Sequence, residues 1–588
     1  MNLVQFGETP PGDRYESVLE PPSGPLPSIQ RIKDAILTLQ TDPRSVTLDT
    51  LNNIMMLRYL PEEFALLSAP IIPSCISILE QSGKHGEIID SDAGVLALRI
   101  LCFAVGVAVL VRNKYLGDFL KTLKVARARG KLPPGRCDIS LHMIAFVSDC
   151  MEQIVKRGTQ DMNHGLAAPH GLFGWDTDNA PPMACLTELG GFDKYHARFL
   201  LEHLWIHRNS TMKLFRDVFL PGWSLVVHLI WKHAEFLDEP GAETMFEQLR
   251  ELVIRFSLVC TSSEDFVLHR HYLELNSVVD YPTKAGPMDR DDLVVVVACC
   301  VVKLNPPYEW LGVHNPIALE FATDLVEAIF YDIRHTQDSI ELSLPLLKAG
   351  FTRLWMDLSK APQEDVKWID VVPFTYQLLR LTGVNFAFAN DYNFRRRVTA
   401  YPVLSVILEA DLIDILGRLW LMPVLLSIIP PGVETGETVS LETNQWTDLS
   451  DVITMLDTMA KLPKEYVQDQ ITPGFAPYQP GWLKTYCYML ELGRQLPAQH
   501  RLRRWLKISL SMWVKLGTVC GFQLPRGPCM YARCPSISML PGAGAGYICE
   551  RCCSAVYCSI RCQEADWMSA PNPHKSNCML RASSNQLA

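Results

Sequence analysis

The sequence lacks an uncharged apolar run long enough to cross a membrane. Its most apolar stretch, Gly94 to Val111, carries Arg99 and leaves only Ile100 to Val111 free of charge, whereas a spanning helix needs about 20 apolar residues. The first residues also lack the basic start and apolar run of a secretory signal. We therefore expect an intracellular protein, in the nucleus, the cytoplasm or both, with no membrane association.

Positive charge is also in short supply. The 588 residues include 54 Lys and Arg against 64 Asp and Glu, which gives a net charge of -10. This balance argues against a chain-wide basic surface for nucleic acid, although it leaves room for a local basic patch. With 48% hydrophobic and 20% charged residues, the composition is globular and excludes disorder along the whole chain.

The common catalytic signatures are missing as well. There is no phosphate-binding loop, no Gly-x-Ser-x-Gly elbow and no dinucleotide fingerprint. His203 and His207 lie one helical turn apart, but Leu204 stands where a zinc protease has Glu. We interpret these histidines as structural, and the sequence predicts a protein without enzymatic activity. The same interpretation applies to the other close histidine pairs, which are His228 with His233 and His269 with His271.

Helical patterns dominate from residue 28 to about residue 516. Apolar residues step by three and four, as in Phe246, Leu249, Leu252 and Phe256, with charged residues between them. Val294–Val302 is β-branched enough for a strand, but nothing nearby offers it a partner. The clearest predicted helices are Ile29–Gln40, Ile72–Gln81, Asp92–Arg112, Leu141–Lys156, Tyr195–Asn209, Trp223–Leu237, Ala242–Cys260, Ile317–Arg334, Leu346–Ser359 and Leu449–Lys461.

These patterns predict a mostly α fold with a large helical body over residues 28–518. It is either an α-solenoid of the armadillo or HEAT type or a compact irregular helical domain, since no clean repeat is found. Residues 1–27, rich in proline, are predicted to be a flexible tail. Residues 519–528 are predicted to be a linker and residues 579–588 a second tail. Four breaks rich in Gly and Pro are predicted to be surface loops, namely Arg157–Pro182, Tyr281–Arg290, Pro430–Gln445 and Ile471–Gly481.

A basic segment, Arg501 to Lys507, admits two interpretations. It is a nuclear-import patch, or it is a charged helix face that packs Trp505 and Leu506 inward. The second is favoured, because the two apolar residues between the cations need a place in a core.

Cysteines are concentrated near one end of the sequence. Nine of the 18 fall between Cys520 and Cys578, and in a reducing compartment such a cluster indicates metal rather than disulfides. Seven thiols and one histidine form four closely spaced pairs, which supply two tetrahedral zinc ions with no open position for substrate. The predicted ligands are Cys529, Cys534, Cys549, Cys552, Cys558, Cys562, His574 and Cys578.

This segment also needs metal for its stability. About 60 residues with several glycines and prolines in one loop cannot build a sufficient apolar core. Zinc contributes roughly 10–16 kcal/mol in small zinc peptides, enough to drive folding by itself. We therefore expect two structural zinc ions here.

The stretch Tyr557–Trp567, followed by His574 and Cys578, resembles the MYND-type zinc finger, and the chain as a whole resembles the large fungal MYND-type domain-containing proteins. The resemblance covers Cys529–Cys578, under a tenth of the chain. It implies a cross-braced pairing, which spacing alone does not give because a sequential pairing satisfies zinc equally well. The implied first site is Cys529, Cys534, Cys558 and Cys562, and the implied second site is Cys549, Cys552, His574 and Cys578.

The resemblance further implies a protein-interaction module for short proline-rich peptides, contacted by Gln563 and Trp567, and an association with transcriptional regulation. A helix over Ser559–Met568, with Ser559 as N-cap, would place Gln563 and Trp567 on one face. The alternative for Trp567 is that it fills the small core. Long loops around the ligands and the charge of Glu550 depart from the family pattern and bear on the peptide groove rather than on zinc.

Two other functions are weighed against this interpretation. A SET-type lysine methyltransferase would need a β-rich core and an Asn-His-Ser-Cys signature, but Asn163-His164 is followed by Gly165-Leu166. The finger is alternatively a structural zinc cap on a helical scaffold. Direct nucleic-acid binding is not expected, because residues 529–588 hold five Lys and Arg against three Asp and Glu before the thiolates are counted.

Overall fold

The structure is a computed structural model of the chain. It describes residues 26–68, 71–83, 88, 91–112, 114–133, 137–161, 194–235, 242–278, 288–307, 315–333, 339–360, 368–390, 401–428, 455, 457–459, 461, 471–496, 501–522, 547–549, 555–557, 560–568, 574–576 and 578. Residues 1–25 of the predicted first tail, the predicted loop Pro430–Gln445, the predicted linker beyond residue 522 and the predicted second tail lie outside these residues.

The described chain is mostly α-helical and forms two compact units, Met1–Phe321 and Ala322–Ala588. The first holds twelve described α-helices and the start of a thirteenth. They are α1 (Ile29–Thr41), α2 (Leu48–Met55), α3 (Ile72–Gly83), α4 (Asp92–Arg112), α5 (Leu116–Ala128), α6 (Ser140–Asp161), α7 (Lys194–Ile206), α8 (Arg208–Asp217), α9 (Trp223–Glu235), α10 (Ala242–Val259), α11 (Asp265–Val278), α12 (Arg290–Leu304) and α13 (Leu319–Ile333).

The second unit continues from within α13. Its described helices are α14 (Ser339–Lys360), α15 (Trp368–Asn390), α16 (Tyr401–Glu409), α17 (Leu412–Ile428), α18 (Thr472–Phe475), α19 (Gln479–Gln495), α20 (Arg501–Val519) and α21 (Ile560–Met568), with two strands, β1 (Tyr547–Ile548) and β2 (Val556–Tyr557). Short 3₁₀ helices span Pro43–Ser45, Met56–Tyr59, Pro61–Ser68 and Ala476–Tyr478.

Side-chain caps fix several of the helix starts. The Ser28 hydroxyl accepts from the backbone N–H of Arg31 at the start of α1, and Asp289 caps α12 in the same way. Thr47 and Thr50 form a reciprocal capping box at α2. Each cap satisfies backbone donors that have no partner inside the helix. The predicted mostly α fold is confirmed, and Val294–Val302 lies inside α12.

The prediction of a loop over Ile471–Gly481 is wrong. The chain there forms α18, a 3₁₀ turn and the first residues of α19. The prolines Pro473, Pro477 and Pro480 each sit in the first two positions of one of these elements. At that position proline loses no helical hydrogen bond and its fixed φ favours the helix, so here the prolines begin helices rather than exclude them.

Helix α4 is the central element of the first unit. It packs against α2, α3 and α9, and by length and composition it is the one described helix that could cross a membrane. Within the structure 94% of its apolar window is buried, as in the core helix of a folded domain. Gly222 allows α9 to begin close to it, because a Cβ there would overlap the Cys102 carbonyl oxygen and its φ is +89°.

Helix α20 contains the basic segment Arg501–Lys507. Trp505 and Leu506 are buried, and the Trp505 indole donates to the Trp420 carbonyl at 3.1 Å. Arg503 and Lys507 are exposed on the same helix. The segment is therefore a charged helix face with an apolar side turned inward, as the favoured interpretation predicted.

Candidate metal centre

The structure describes four of the eight predicted zinc ligands, Cys549, Cys562, His574 and Cys578. The other four, Cys529, Cys534, Cys552 and Cys558, lie outside the described residues. All four described ligands belong to the second unit, at the C-terminal end of the sequence. Their positions follow from a small hairpin, the helix α21 and the short turn that follows it.

The hairpin of β1 and β2 positions Cys549. The strands pair antiparallel, with Tyr547 opposite Tyr557 and Ile548 opposite Val556. One residue further, the Cys549 N–H donates to the Ala555 carbonyl at 2.9 Å, which extends the ladder. Cys549 and Ala555 are buried. Strand β1 also lies beside α19, so the hairpin carrying Cys549 is adjacent to a helix of the same unit.

Cys549, His574 and Cys578 converge on one point. The three potential ligand atoms all lie within 4.8 Å of one another, and the Sγ atoms of Cys549 and Cys578 are 3.6 Å apart. A disulfide would require about 2.05 Å. Two Zn–S bonds of about 2.3 Å at the tetrahedral angle require about 3.8 Å between the sulfur atoms. The donor set and its spacing therefore fit a zinc ion that lacks only a fourth ligand among the described residues.

Two aromatic rings flank the histidine of this group. The His574 ring centroid is 6.2 Å from that of Tyr557, in edge geometry, and 6.0 Å from that of Trp567. His574 and Cys578 are four residues apart and both have helical backbone, which brings two ligands to one side. The rings limit the space in which the imidazole can turn, so the ligand is partly preorganised.

Cys562 belongs to the same small core but not to the converging group. It is buried with Cys549, Ala555, Tyr557 and Cys578, on the first turn of α21. In the cross-braced pairing it would serve the other ion, whose remaining ligands lie outside the described residues. Among the described residues, the structure therefore brings together three of the four residues of the implied second site.

Gln563 and Trp567, the predicted peptide contacts, lie four residues apart on α21. Both are half-buried, and Trp567 packs against the core formed around Cys549. One part of the Trp567 side chain is thus covered by the core, and the rest is exposed. The predicted N-cap of this helix, Ser559, lies outside the described residues.

Sequence reasoning missed the pairing of Tyr557 with Asp566. The Tyr557 hydroxyl donates to Asp566 Oδ2 at 2.8 Å, which ties β2 to α21 across the core. The tyrosine is fully buried, and a buried phenol needs a hydrogen-bond partner. That requirement is the signal that could have pointed to Asp566, the acidic residue directly before Trp567.

The other histidine pairs are packed into helices of the first unit. His228 and His271 are buried with ring centroids 5.1 Å apart, and His271 lies 5.5 Å from the Trp231 ring. Burial, with a smaller effect of Lys232, lowers the pKa of His271 to about 3. The ring stays neutral and acts in packing, in line with the structural interpretation.

Two buried thiols outside the cluster are protonated. Burial raises the pKa of Cys75 and of Cys300, so both stay protonated, and a protonated thiol is neither a metal ligand nor a nucleophile.

No family model, curated protein or solved structure matches the chain. The geometry of the C-terminal cluster and its sequence motif are therefore the features that bear on function.

Proposed function

We propose that Cys529–Cys578 is a MYND-type finger that holds two zinc ions in a cross-braced arrangement. The observation that carries this proposal is the convergence of Cys549 with His574 and Cys578. Cys549 belongs to the second ligand pair and the other two to the fourth. A sequential pairing would join the second pair to the first instead, so the convergence favours the cross-brace.

The two sites are proposed to be structural. The first is assigned to Cys529, Cys534, Cys558 and Cys562, and the second to Cys549, Cys552, His574 and Cys578. Four protein ligands leave no position for a substrate or a reactive water. When bound, zinc would hold the hairpin, α21 and the final turn together, which the few apolar side chains here cannot do alone.

Zinc content in paired variants separates the two arrangements. Under the cross-brace, Cys549→Ser with Cys578→Ser empties one site and keeps one zinc, whereas Cys562→Ser with Cys578→Ser empties both. A sequential pairing reverses these outcomes. Metal analysis of the full chain measures the count, and Cys487→Ser, a half-buried cysteine of α19, is the control. Unchanged zinc in Cys578→Ser would refute the metal site itself.

We propose that the protein acts without catalysis, as an interaction protein that recruits partners with proline-rich segments. Gln563 and Trp567 share one side of α21, and an indole beside an amide suits proline rings and the carbonyls between them. The family resemblance places such recruitment in transcriptional regulation, with the protein in the nucleus, the cytoplasm or both.

The scaffold that carries the finger is proposed to combine both helical arrangements considered from the sequence. In the second unit, α14 with α15 and α19 with α20 pack as consecutive antiparallel neighbours, which suits stacked pairs. In the first unit, α4 contacts helices distant in sequence, such as α9. That pattern supports a compact irregular bundle around α4.

A proline-rich peptide array against the zinc-loaded full chain tests the recruitment proposal. Selective peptides should bind, and Gln563→Ala and Trp567→Ala should each abolish binding while both zinc ions are retained. Glu564→Ala, an exposed neighbour on α21, should bind as the wild type does. A blank array with two zinc ions bound would leave the finger a structural cap on the helical scaffold.

A further inference from the structure

Positive charge is concentrated on and around α5, in the first unit. From residue 114 to residue 131 the sequence has six basic residues and one acidic residue, Asp118, a net charge of 6 − 1 = +5 in a chain of net charge -10. The charge is thus strongly local. The basic residues are Lys114, Lys121, Lys124, Arg127, Arg129 and Lys131.

The packing of α5 turns this charge outward. Phe119 and Leu123 are buried, and the Phe119 ring stacks on Phe64 at 6.1 Å and contacts Phe146 at 5.2 Å. Lys121 and Lys124 are exposed on the other side of the helix. One apolar side fixes the helix in its unit, and the basic side faces solvent.

The outward side of α5 has small side chains next to its basic ones. Gly117, Lys121, Lys124 and Ala128 follow the spacing of three and four that places residues on one side of a helix. A Cβ built on Gly117 meets nothing within 4 Å, so the surface is open there. Lys114 and Lys131, both exposed, stand just beyond the two ends of the helix.

These cations have no carboxylate partner among the described residues, whereas some other exposed cations do. Within the described part of the chain, none of the six forms an ion pair, whereas Arg31 pairs with Asp49 and Arg198 with Glu202, both at 2.8 Å. The negative end of the helix dipole favours Arg127 and Arg129 near the end of α5. It does nothing for Lys121 and Lys124 in the middle.

We propose that this basic face of α5 docks an acidic segment of a partner protein. Close like charges with Asp118 as the one anion among them repel one another, and an acidic partner removes that repulsion. The thirteen residues of α5 span about 20 Å at 1.5 Å per residue, the length of a short acidic helix. With Gly117 and Ala128 between the lysines, such a helix can approach closely.

The surface suits other polyanions less well. Helix α5 exposes no aromatic ring on which bases could stack, and its one large exposed apolar side chain, Val125 at 41%, gives little to insert into a bilayer. Outside residues 114–131 the net charge is -10 − 5 = -15. That charge opposes a nucleic acid extending beyond the patch, but not a peptide confined to it.

Fluorescence anisotropy on the full chain tests this proposal with a fluorescein-labelled peptide of four Glu-Leu-Glu-Ala repeats at low salt. The peptide should bind, and a matched peptide with Gln in place of Glu should not. In the double variant Lys121→Gln with Lys124→Gln, affinity should fall about tenfold, since two exposed ion pairs are lost. Lys33→Gln with Lys507→Gln, two exposed lysines of other helices, changes the net charge equally and should leave affinity unchanged.

Several outcomes would overturn the proposal. They are absence of binding, equal binding of the Glu and Gln peptides, and equal losses in the two double variants. A duplex oligonucleotide or phosphatidylserine vesicles that bind more tightly than the peptide, and lose affinity in the Lys121/Lys124 variant, would reassign the face to nucleic acid or membrane. The zinc cluster lies in the other unit, so none of these results bears on the proposed finger.

Discussion

Trp482 and Trp513 exchange hydrogen bonds: each indole N–H donates to the backbone carbonyl of the other residue at 2.9 Å. Both side chains are fully buried, one on α19 and one on α20. The exchange satisfies two buried donors at once and fixes the register of the two helices. Since β1 lies beside α19, this helix pair packs next to a strand of the proposed finger.

Gly517 makes the close approach of these helices feasible, and Gly517→Ala should therefore destabilise the chain. A Cβ at Gly517 would overlap the Trp482 ring, and a displaced ring would lose its hydrogen bond. We expect a loss of about 1–3 kcal/mol in the free energy of unfolding, measured by urea denaturation. Gly493→Ala on α19, where a Cβ meets nothing, should instead stabilise by up to about 1 kcal/mol. Equal effects would contradict the packing argument.

Tyr557→Phe should weaken zinc retention without changing the zinc count. It removes the hydroxyl that donates to Asp566 at 2.8 Å, and a hydrogen bond to a charged group is worth about 1.5–3 kcal/mol. The hairpin and α21 should then separate more readily, so a chelator should extract zinc faster. The absorbance of the chelator–zinc complex measures the rate of extraction. Tyr488→Phe, exposed on α19, is the control. Unaltered extraction in Tyr557→Phe would show that this bond does not support the site.

Much of the helical architecture could be predicted from the sequence, because helices depend on the local spacing of apolar residues. The predicted bounds of Asp92–Arg112 coincide with α4, since the apolar run and its polar ends belong to one segment. The prediction of a loop over Ile471–Gly481 is wrong because proline is compatible with both a loop and a helix start. Sequence could not decide among tertiary choices, such as which cysteine pair joins His574 and Cys578, because ligand spacing is satisfied by more than one pairing.

The buried ion pair of Arg255 and Asp292 is another feature that local patterns cannot show. The residues are 37 apart in sequence and fully buried, and both guanidinium Nη atoms donate to the carboxylate at 2.7 Å. Arg208 Nε adds a third bond at 2.7 Å. Burial alone would raise the pKa of Asp292, but these bonds outweigh it and hold the pKa below its usual range.

Asp292→Asn should cost about 3–5 kcal/mol, since it leaves the buried Arg255 without its full counter-charge. Because the pKa of Asp292 is depressed in the folded state, its stabilisation is present above the unfolded value near 4 and is lost as pH falls through the folded value. Urea unfolding at pH 7 measures the loss. Asp291→Asn, an exposed neighbour on α12, changes the same charge and should move stability by less than about 0.5 kcal/mol. Comparable losses in the free energy of unfolding of both variants would contradict the stabilising role of the Arg255–Asp292 ion pair.

Glu264 is a buried acid with the opposite tendency. Its carboxylate accepts from the Thr261 N–H at 3.2 Å and from the Thr261 hydroxyl at 3.0 Å. Burial raises its pKa from 4.5 to about 7, although these hydrogen bonds and Lys303 act to lower it. The folded chain therefore keeps a proton on Glu264 at pH values where the unfolded chain has released it.

The consequence is a stability that falls as pH rises from about 4.5 to about 7. In this window the unfolded carboxyl is ionised while the folded one holds its proton, so raising the pH favours unfolding. Glu264→Gln keeps an acceptor for Thr261 and removes the titration. Its stability relative to the wild type should therefore increase across the window by about 3 kcal/mol, from a shift of about 2.5 pKa units at about 1.4 kcal/mol each. Urea unfolding at half-unit pH steps measures the difference, with Glu62→Gln, an exposed acid, as the control. A difference that stays flat between pH 4.5 and 7 would show that Glu264 is already ionised when buried, with Lys303 as its counter-charge.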